Sequence, residues 1–129
     1  MLHMQKGMLI FWVVIAVLIV AGLGSSMFIK AQPGKLDTFA QCLKDTGVIF
    51  YGAFWCPHCQ NTKAMFGNSA KLLPYVECST PDGKGQLQIC IDKEIKSYPT
   101  WTFPNATTTL TGERTLEELS QLSGCPLPE

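Results

Sequence analysis

Two cysteines separated by two residues, in the segment Phe54-Trp55-Cys56-Pro57-His58-Cys59, have the types and spacing to do chemistry. Two thiols one helical turn apart can close a disulfide while only one sulfur is open to attack. Pro57 suits the first position of a helix because it has no N–H to leave unpaired, which places Cys56 at the N-cap. Free backbone N–H groups and the positive end of the helix dipole there favour a thiolate over a thiol. Cys56 is therefore the predicted nucleophile. Cys59 is the predicted resolving thiol, placed to attack a mixed disulfide and release the partner. Protonated His58 would add positive charge near the sulfur and, with Pro57, tune the pair toward a more oxidising disulfide.

These residues need a strand before them and a helix under them, and the neighbouring pattern supplies both. Val48 to Phe54 is a continuous apolar run, as in a strand covered on both faces. A helix is expected from Pro57 to about Leu73, then a short strand Tyr75-Val76-Glu77-Cys78. Upstream, Leu36, Phe39, Ala40 and Leu43 form a helical face that Gly47 can end. Downstream, Ser79 to Gly85 has the composition of a loop, and Leu87, Cys90, Ile91 and Ile95 mark the inner face of a further helix. Thr100 to Phe103 and Thr107 to Thr111 flank Pro104-Asn105 as a hairpin, and Thr115 with Glu118 makes a capping box for a last helix that Gly124 ends. Strand, helix and strand in succession imply a parallel pair, to which the hairpin adds an antiparallel edge. The fold class is α/β.

Charge and hydropathy divide the 129 residues unevenly. Ten Lys+Arg balance ten Asp+Glu, yet Met8 to Ile29 carries no charge and every acidic residue follows it. Residues 31–129 hold eight basic and ten acidic residues and all six cysteines. A mildly acidic domain with no basic stripe argues against nucleic acid as a ligand. The uncharged run would reach about 33 Å as a helix, enough for a hydrocarbon core of about 30 Å. It reads as a transmembrane anchor over 8–29, with residues 1–7 cytoplasmic, 30–35 a linker and 36–129 the folded domain. A cleaved signal, for which Ala21 to Ser26 offers small residues, and a buried core helix are the alternatives. Six cysteines in so small a domain suit an oxidising compartment, which places it outside the cytoplasm: periplasm, cell exterior or organelle lumen.

Trp-Cys-Pro-His-Cys at a strand-to-helix junction, with Ser97-Tyr98-Pro99-Thr100 at a later helix-to-strand junction, resembles the thioredoxin superfamily. Cys-Pro-His-Cys is the variant found in oxidising DsbA-type proteins. Phe-Tyr-Gly-Ala-Phe-Trp-Cys-Pro-His-Cys, Leu-Pro-Tyr-Val-Glu-Cys, Ser-Tyr-Pro-Thr-Trp and Leu-Glu-Glu-Leu-Ser-Gln-Leu-Ser-Gly look, more narrowly, like the thioredoxin-like domain attached to vitamin K epoxide reductase homologues of bacteria and plants. That match spans about residues 36–126, with one transmembrane segment in place of the multi-helix reductase domain. The resemblance implies a thioredoxin fold, a central mixed sheet of about four strands with helices on both faces. It implies that Pro99 is cis and faces the disulfide, and that Tyr98, Pro99 and Thr100 bind an extended substrate segment beside Trp55, the groove wall. The implied partners are cysteine-containing substrate proteins and a membrane quinone-linked disulfide-generating protein. The Cys56–Cys59 disulfide would be the redox group, with no cofactor and no metal.

One departure from the family bears on mechanism. Many thioredoxins carry a buried carboxylate six positions before the first active-site cysteine, where this chain has Phe50. Deprotonation of Cys59 is then expected to rely on water or on the departing thiolate, slowing release of mixed disulfides at low pH relative to Phe50→Glu.

Of the remaining cysteines, Cys78 and Cys90 sit at a strand end and in the first turns of the following helix. They are expected to form a structural disulfide contributing about 2–4 kcal/mol; two buried thiols, or a relay to Cys56–Cys59, are the alternatives. Cys42 and Cys125 pair with each other, with a partner or with nothing, since six cysteines allow about 15 pairings. Two other function classes stand beside thiol–disulfide exchange. A metallochaperone would use Cys56, Cys59 and His58, but lacks a second close ligand pair. A non-catalytic partner-binding domain would use the groove around Pro99. Haem attachment is disfavoured because Gln60, not His, follows Cys59. Asn105-Ala106-Thr107 satisfies the glycosylation pattern, which matters only in a eukaryotic secretory route.

Overall fold

The structure is a computed structural model that describes residues 2–104 and 109–129, with side chains described for 6–24, 32–104 and 109–129. The Asn105 pattern and the turn of the expected hairpin lie outside the described residues. The chain divides into two compact units between Gln32 and Pro33.

The first unit is the helix α1 (Leu2–Ala31). Within it, Lys6–Gly24 is long and apolar enough to cross a membrane. Met8, Phe11, Trp12, Leu18 and Leu23 are all exposed, so this is not the core helix of a globular domain.

The second unit holds four further helices, α2 (Asp37–Asp45), α3 (Pro57–Phe66), α4 (Gln88–Asp92) and α5 (Leu116–Ser123). Its strands are β1 (Ile49–Gly52), β2 (Tyr75–Glu77), β3 (Thr100–Thr102) and β4 (Leu110–Thr111). They form one mixed sheet in the order β2-β1-β3-β4. The pair β1–β2 is parallel, while β3 runs antiparallel to both β1 and β4.

Side chains alternate between sheet faces, and the register sorts them. Phe50 stands opposite Tyr75 and Trp101. That face receives Phe39, Ala40 and Leu43 of α2, Phe66 of α3 and Leu119 of α5. Phe50 stacks on Trp101 at 4.5 Å between ring centres, and Phe39 on Phe66 at 5.9 Å. Tyr51 points the other way, into a smaller cluster with Cys78, Cys90 and Ile95. Helices thus cover both faces, as the apolar Val48–Phe54 run requires.

Three local expectations need correction. The helix beginning at Pro57 ends at Phe66, and Gly67–Leu72 continues as a 3-10 helix. The cause is Gly67, whose φ of 52° is open to a residue without Cβ and breaks the α-helical ladder. The helix carrying Cys90 has only five residues, and Ile91 is exposed rather than part of the inner face. The strand over Val48–Phe54 is limited to Ile49–Gly52, since Ala53 to Cys56 turn toward α3. The last helix matches its signals: Thr115 Oγ1 accepts from Glu118 N, Glu118 Oε2 accepts from Thr115 N, and Gly124 caps the end.

Candidate active site

Cys56 is the N-cap of α3 and Pro57 its first residue. Cys56 N donates to Ala53 O at 3.0 Å, closing the turn out of β1. The Cys56 sulfur accepts from Cys59 N at 3.3 Å and from the Cys59 thiol at 2.8 Å. The pair is a dithiol in this structure, with Cys56 4% and Cys59 1% exposed. Both sulfurs are largely covered, so the expected contrast between an open and a shielded thiol is one of degree. Cys56, at the helix end, is the more accessible.

Burial pushes the Cys59 thiol up to about 12, and its hydrogen bond to Cys56 adds to the effect. Tyr75 is also raised, first by burial and then by its hydrogen bond to Glu77. Both groups hold their proton in the folded chain at a pH where the unfolded chain has lost it. Their contribution to stability is therefore complete below about pH 9 and is lost as pH rises toward the folded values. Urea unfolding of the dithiol chain in detergent is expected to show stability falling above about pH 9, by up to about 1.4 kcal/mol per pH unit for each proton. Cys59→Ala should flatten that slope; equal slopes would contradict the assignment.

His58 has a partner of its own outside the cysteine pair. Its Nδ1 pairs with Glu113 Oε1 from the segment between β4 and α5, and Asn61 Nδ2 donates to the same oxygen at 3.1 Å. These contacts hold the Glu113 carboxyl below the usual carboxylate range. The imidazole therefore has a carboxylate partner on the exposed side of α3, a contact across 55 residues with no local sequence signal.

Trp55 is half exposed and donates Nε1 to Ser79 Oγ at 2.8 Å. Its ring meets Tyr98 edge-on at 6.0 Å, and the Tyr98 hydroxyl accepts from Gln86 Nε2 at 2.8 Å. These contacts bring together the two junctions that lie far apart in sequence. The Tyr98–Pro99 peptide is cis and Pro99 is buried. Thr100, the first residue of β3, is buried, and its hydroxyl donates to Ser97 O at 2.8 Å, closing the turn before the strand.

Glu77, which the sequence reading passed over, ties the site to the sheet. Its Oε1 accepts from Ser79 N at 2.9 Å and Phe54 N at 3.2 Å, and its Oε2 from the Tyr75 hydroxyl at 2.7 Å. The available signal was Tyr75-Val76-Glu77, two polar-tipped residues at strand period on one face. Opposite Glu77 stands Gly52, where a Cβ would lie 2.7 Å from Tyr75 Cε2 and 3.0 Å from Cys59 Sγ. Only glycine leaves room there for both.

Away from the motif, Cys78 pairs with Cys90, and Cys42 pairs with Cys125. The first is the expected staple; the second resolves an open choice. No cluster of three or more His, Cys, Asp or Glu able to hold a metal occurs among the described residues.

The family model described as Thioredoxin matches residues 31–123. The chain is also similar to the thiol-disulfide oxidoreductase LTO1 of Arabidopsis thaliana, at 44% identity over 95 residues. That alignment covers 70% of this chain and 24% of the Arabidopsis protein, so the chain spans about a quarter of that relative's length.

Proposed function

The chain belongs to the thioredoxin family, and on that premise we propose that it is a membrane-anchored thiol–disulfide oxidoreductase acting outside the cytoplasm. The observation that carries this reading is the Cys56 sulfur at the N-terminus of α3, 2.8 Å from Cys59 Sγ. That position suits an attacking sulfur, and its resolving partner is already in reach. The name of the Arabidopsis relative supports the same chemistry. Electrons move between the Cys56–Cys59 pair and cysteines of substrate proteins, with the pair itself as redox group. Trp55 and Tyr98 flank the approach to Cys56, and the Tyr98–Pro99 backbone receives an extended substrate segment. A membrane quinone-linked protein of the vitamin K epoxide reductase type is the electron acceptor.

The apolar helix supports anchoring over residues 8–29, with 1–7 cytoplasmic and 36–129 outside. The two further disulfides support an oxidising compartment. The proposed direction is substrate oxidation or isomerisation.

The test is capture. Cys59→Ala is expected to accumulate mixed disulfides with substrate proteins through Cys56, visible on non-reducing gels and lost in Cys56→Ala/Cys59→Ala. Unchanged function in the double variant would instead mean a non-catalytic binding domain. Equilibration with glutathione checks direction: a potential near about −270 mV, typical of a reductant, would count against the oxidant reading.

A further inference from the structure

Before Cys59 can resolve a mixed disulfide it has to lose a proton. The residue six positions before Cys56 cannot take it, since Phe50 is apolar and fully buried. The sheet face turned to α3 holds another route. A Cβ at Gly52 would lie 2.7 Å from Tyr75 Cε2, 3.0 Å from Cys59 Sγ and 3.4 Å from Tyr75 Oη, so the glycine lets the tyrosine and the sulfur close in on one position. Tyr75 Oη donates onward to Glu77 Oε2 at 2.7 Å. The Lys63 ammonium sits 3.3 Å from the centre of the Tyr75 ring.

Among the described residues, the charged and titratable groups around Cys59 and Tyr75 come from two elements. From α3 come Cys56, Cys59 and Lys63, and from β2 Tyr75 and Glu77; Phe50 and Gly52 of β1 contribute none.

We infer that Tyr75 and Glu77 form the proton path for Cys59, the hydroxyl as bridge and the carboxylate as acceptor. The inference rests on the thiol-exchange function proposed above. The Cys59 thiol gives its proton to Tyr75 Oη as Tyr75 gives its own to Glu77 Oε2. Tyr75 ends as it began, neutral, which agrees with the upward push on its hydroxyl. The Cys59 thiolate then attacks the Cys56 sulfur of the mixed disulfide. The Cys56–Cys59 bond forms, the bond from Cys56 to the partner breaks, and the partner leaves as a thiolate that takes a proton from solvent. The active-site pair is oxidised and the partner sulfur reduced, with Lys63 favouring the transient negative charge on Cys59.

The route differs from a carboxylate buried under the motif. Here the acceptor lies at the end of the neighbouring strand, partly open to solvent, so it can be recharged from water.

Rapid mixing of the full chain, in detergent, with dithiobis(nitrobenzoate) separates the steps. The first thionitrobenzoate released reports attack by Cys56 and the second reports resolution by Cys59. Tyr75→Phe and Glu77→Gln are expected to slow the second release at least about tenfold near about pH 6, with recovery above about pH 9 where hydroxide takes the proton. The first release should stay within about twofold of wild type in both. A second release unchanged in both variants, or slowed equally at every pH as by simple displacement of Cys59, would overturn the path. So would a pH-dependent loss in Tyr75→Phe without one in Glu77→Gln. Absence of the first release in the wild-type chain would instead overturn the thiol-exchange function itself.

Discussion

Replacing Cys42 and Cys125 together by alanine is expected to lower the unfolding free energy by about 4–5 kcal/mol, against about 3 kcal/mol for Cys78 and Cys90. The difference comes from the unfolded chain. The first bond joins residues 83 apart and the second residues 12 apart, and a longer closed loop removes more freedom from the denatured ensemble. The longer loop runs from α2 to the segment after α5, so it encloses the whole sheet and the active site. Cys125 is fully buried in the larger core cluster, and its loss there adds a packing cost to the entropic one. Domains of this size hold only about 5–15 kcal/mol in reserve, so the double variant should lie near its unfolding threshold at about 37 °C. Urea unfolding of both double variants, with Cys56 and Cys59 kept reduced, measures the difference. A smaller cost for the Cys42–Cys125 pair would show that the unfolded chain already keeps these segments together. In a reducing compartment the domain would lose the same stabilisation, which ties its folding to the oxidising location proposed for it.

Phe50→Glu should be still more damaging, at about 5 kcal/mol or more. The ring is fully buried, 4.5 Å from Trp101 in a parallel stack and 5.1 Å from Tyr75 edge-on. Glutamate forfeits both aromatic contacts and buries a carboxyl among apolar rings. Burial raises such a carboxyl above its ordinary value, so the variant's stability is present below about pH 4.3 and is lost as pH rises through the folded value. Unfolding measured at about pH 4 and about pH 7 should therefore show a deficit that grows with pH, while Phe50→Leu costs about 1.5 kcal/mol or less at both. A variant as stable as wild type at neutral pH would contradict this packing. The sequence alone suggests Phe50→Glu as a way to speed release of mixed disulfides. The fold shows why it cannot do so cleanly: the position belongs to the aromatic stack on which β1 and β3 register.

The last helix was legible because its code is local: a capping box at Thr115 and Glu118, a glycine at 124, and apolar residues one turn apart. The helix after Pro57 was legible at its start, where Pro57 and Cys56 take their N-terminal places, and misread at its end. Gly67 is a weak signal until its φ is known. Ile91 shows the limit of periodicity, since a helix of five residues is too short to present the face that its apolar residues outline. Thr100 fits an extended strand by composition, but only the sheet register turns its hydroxyl back to Ser97.

The sequence by itself determined the reactive pair and its place at a helix start, because the spacing of Cys56 and Cys59 and the position of Pro57 span a single helical turn. It determined as well that an uncharged apolar run precedes an acidic, cysteine-rich domain. Tertiary structure alone decided which carboxylate meets His58, that Glu77 reaches the Phe54 backbone beside the motif, and that Cys42 pairs with Cys125. Each of those contacts joins segments far apart in the chain. Their partners are brought together by the packing of whole elements, which is not encoded in the neighbourhood of any one residue.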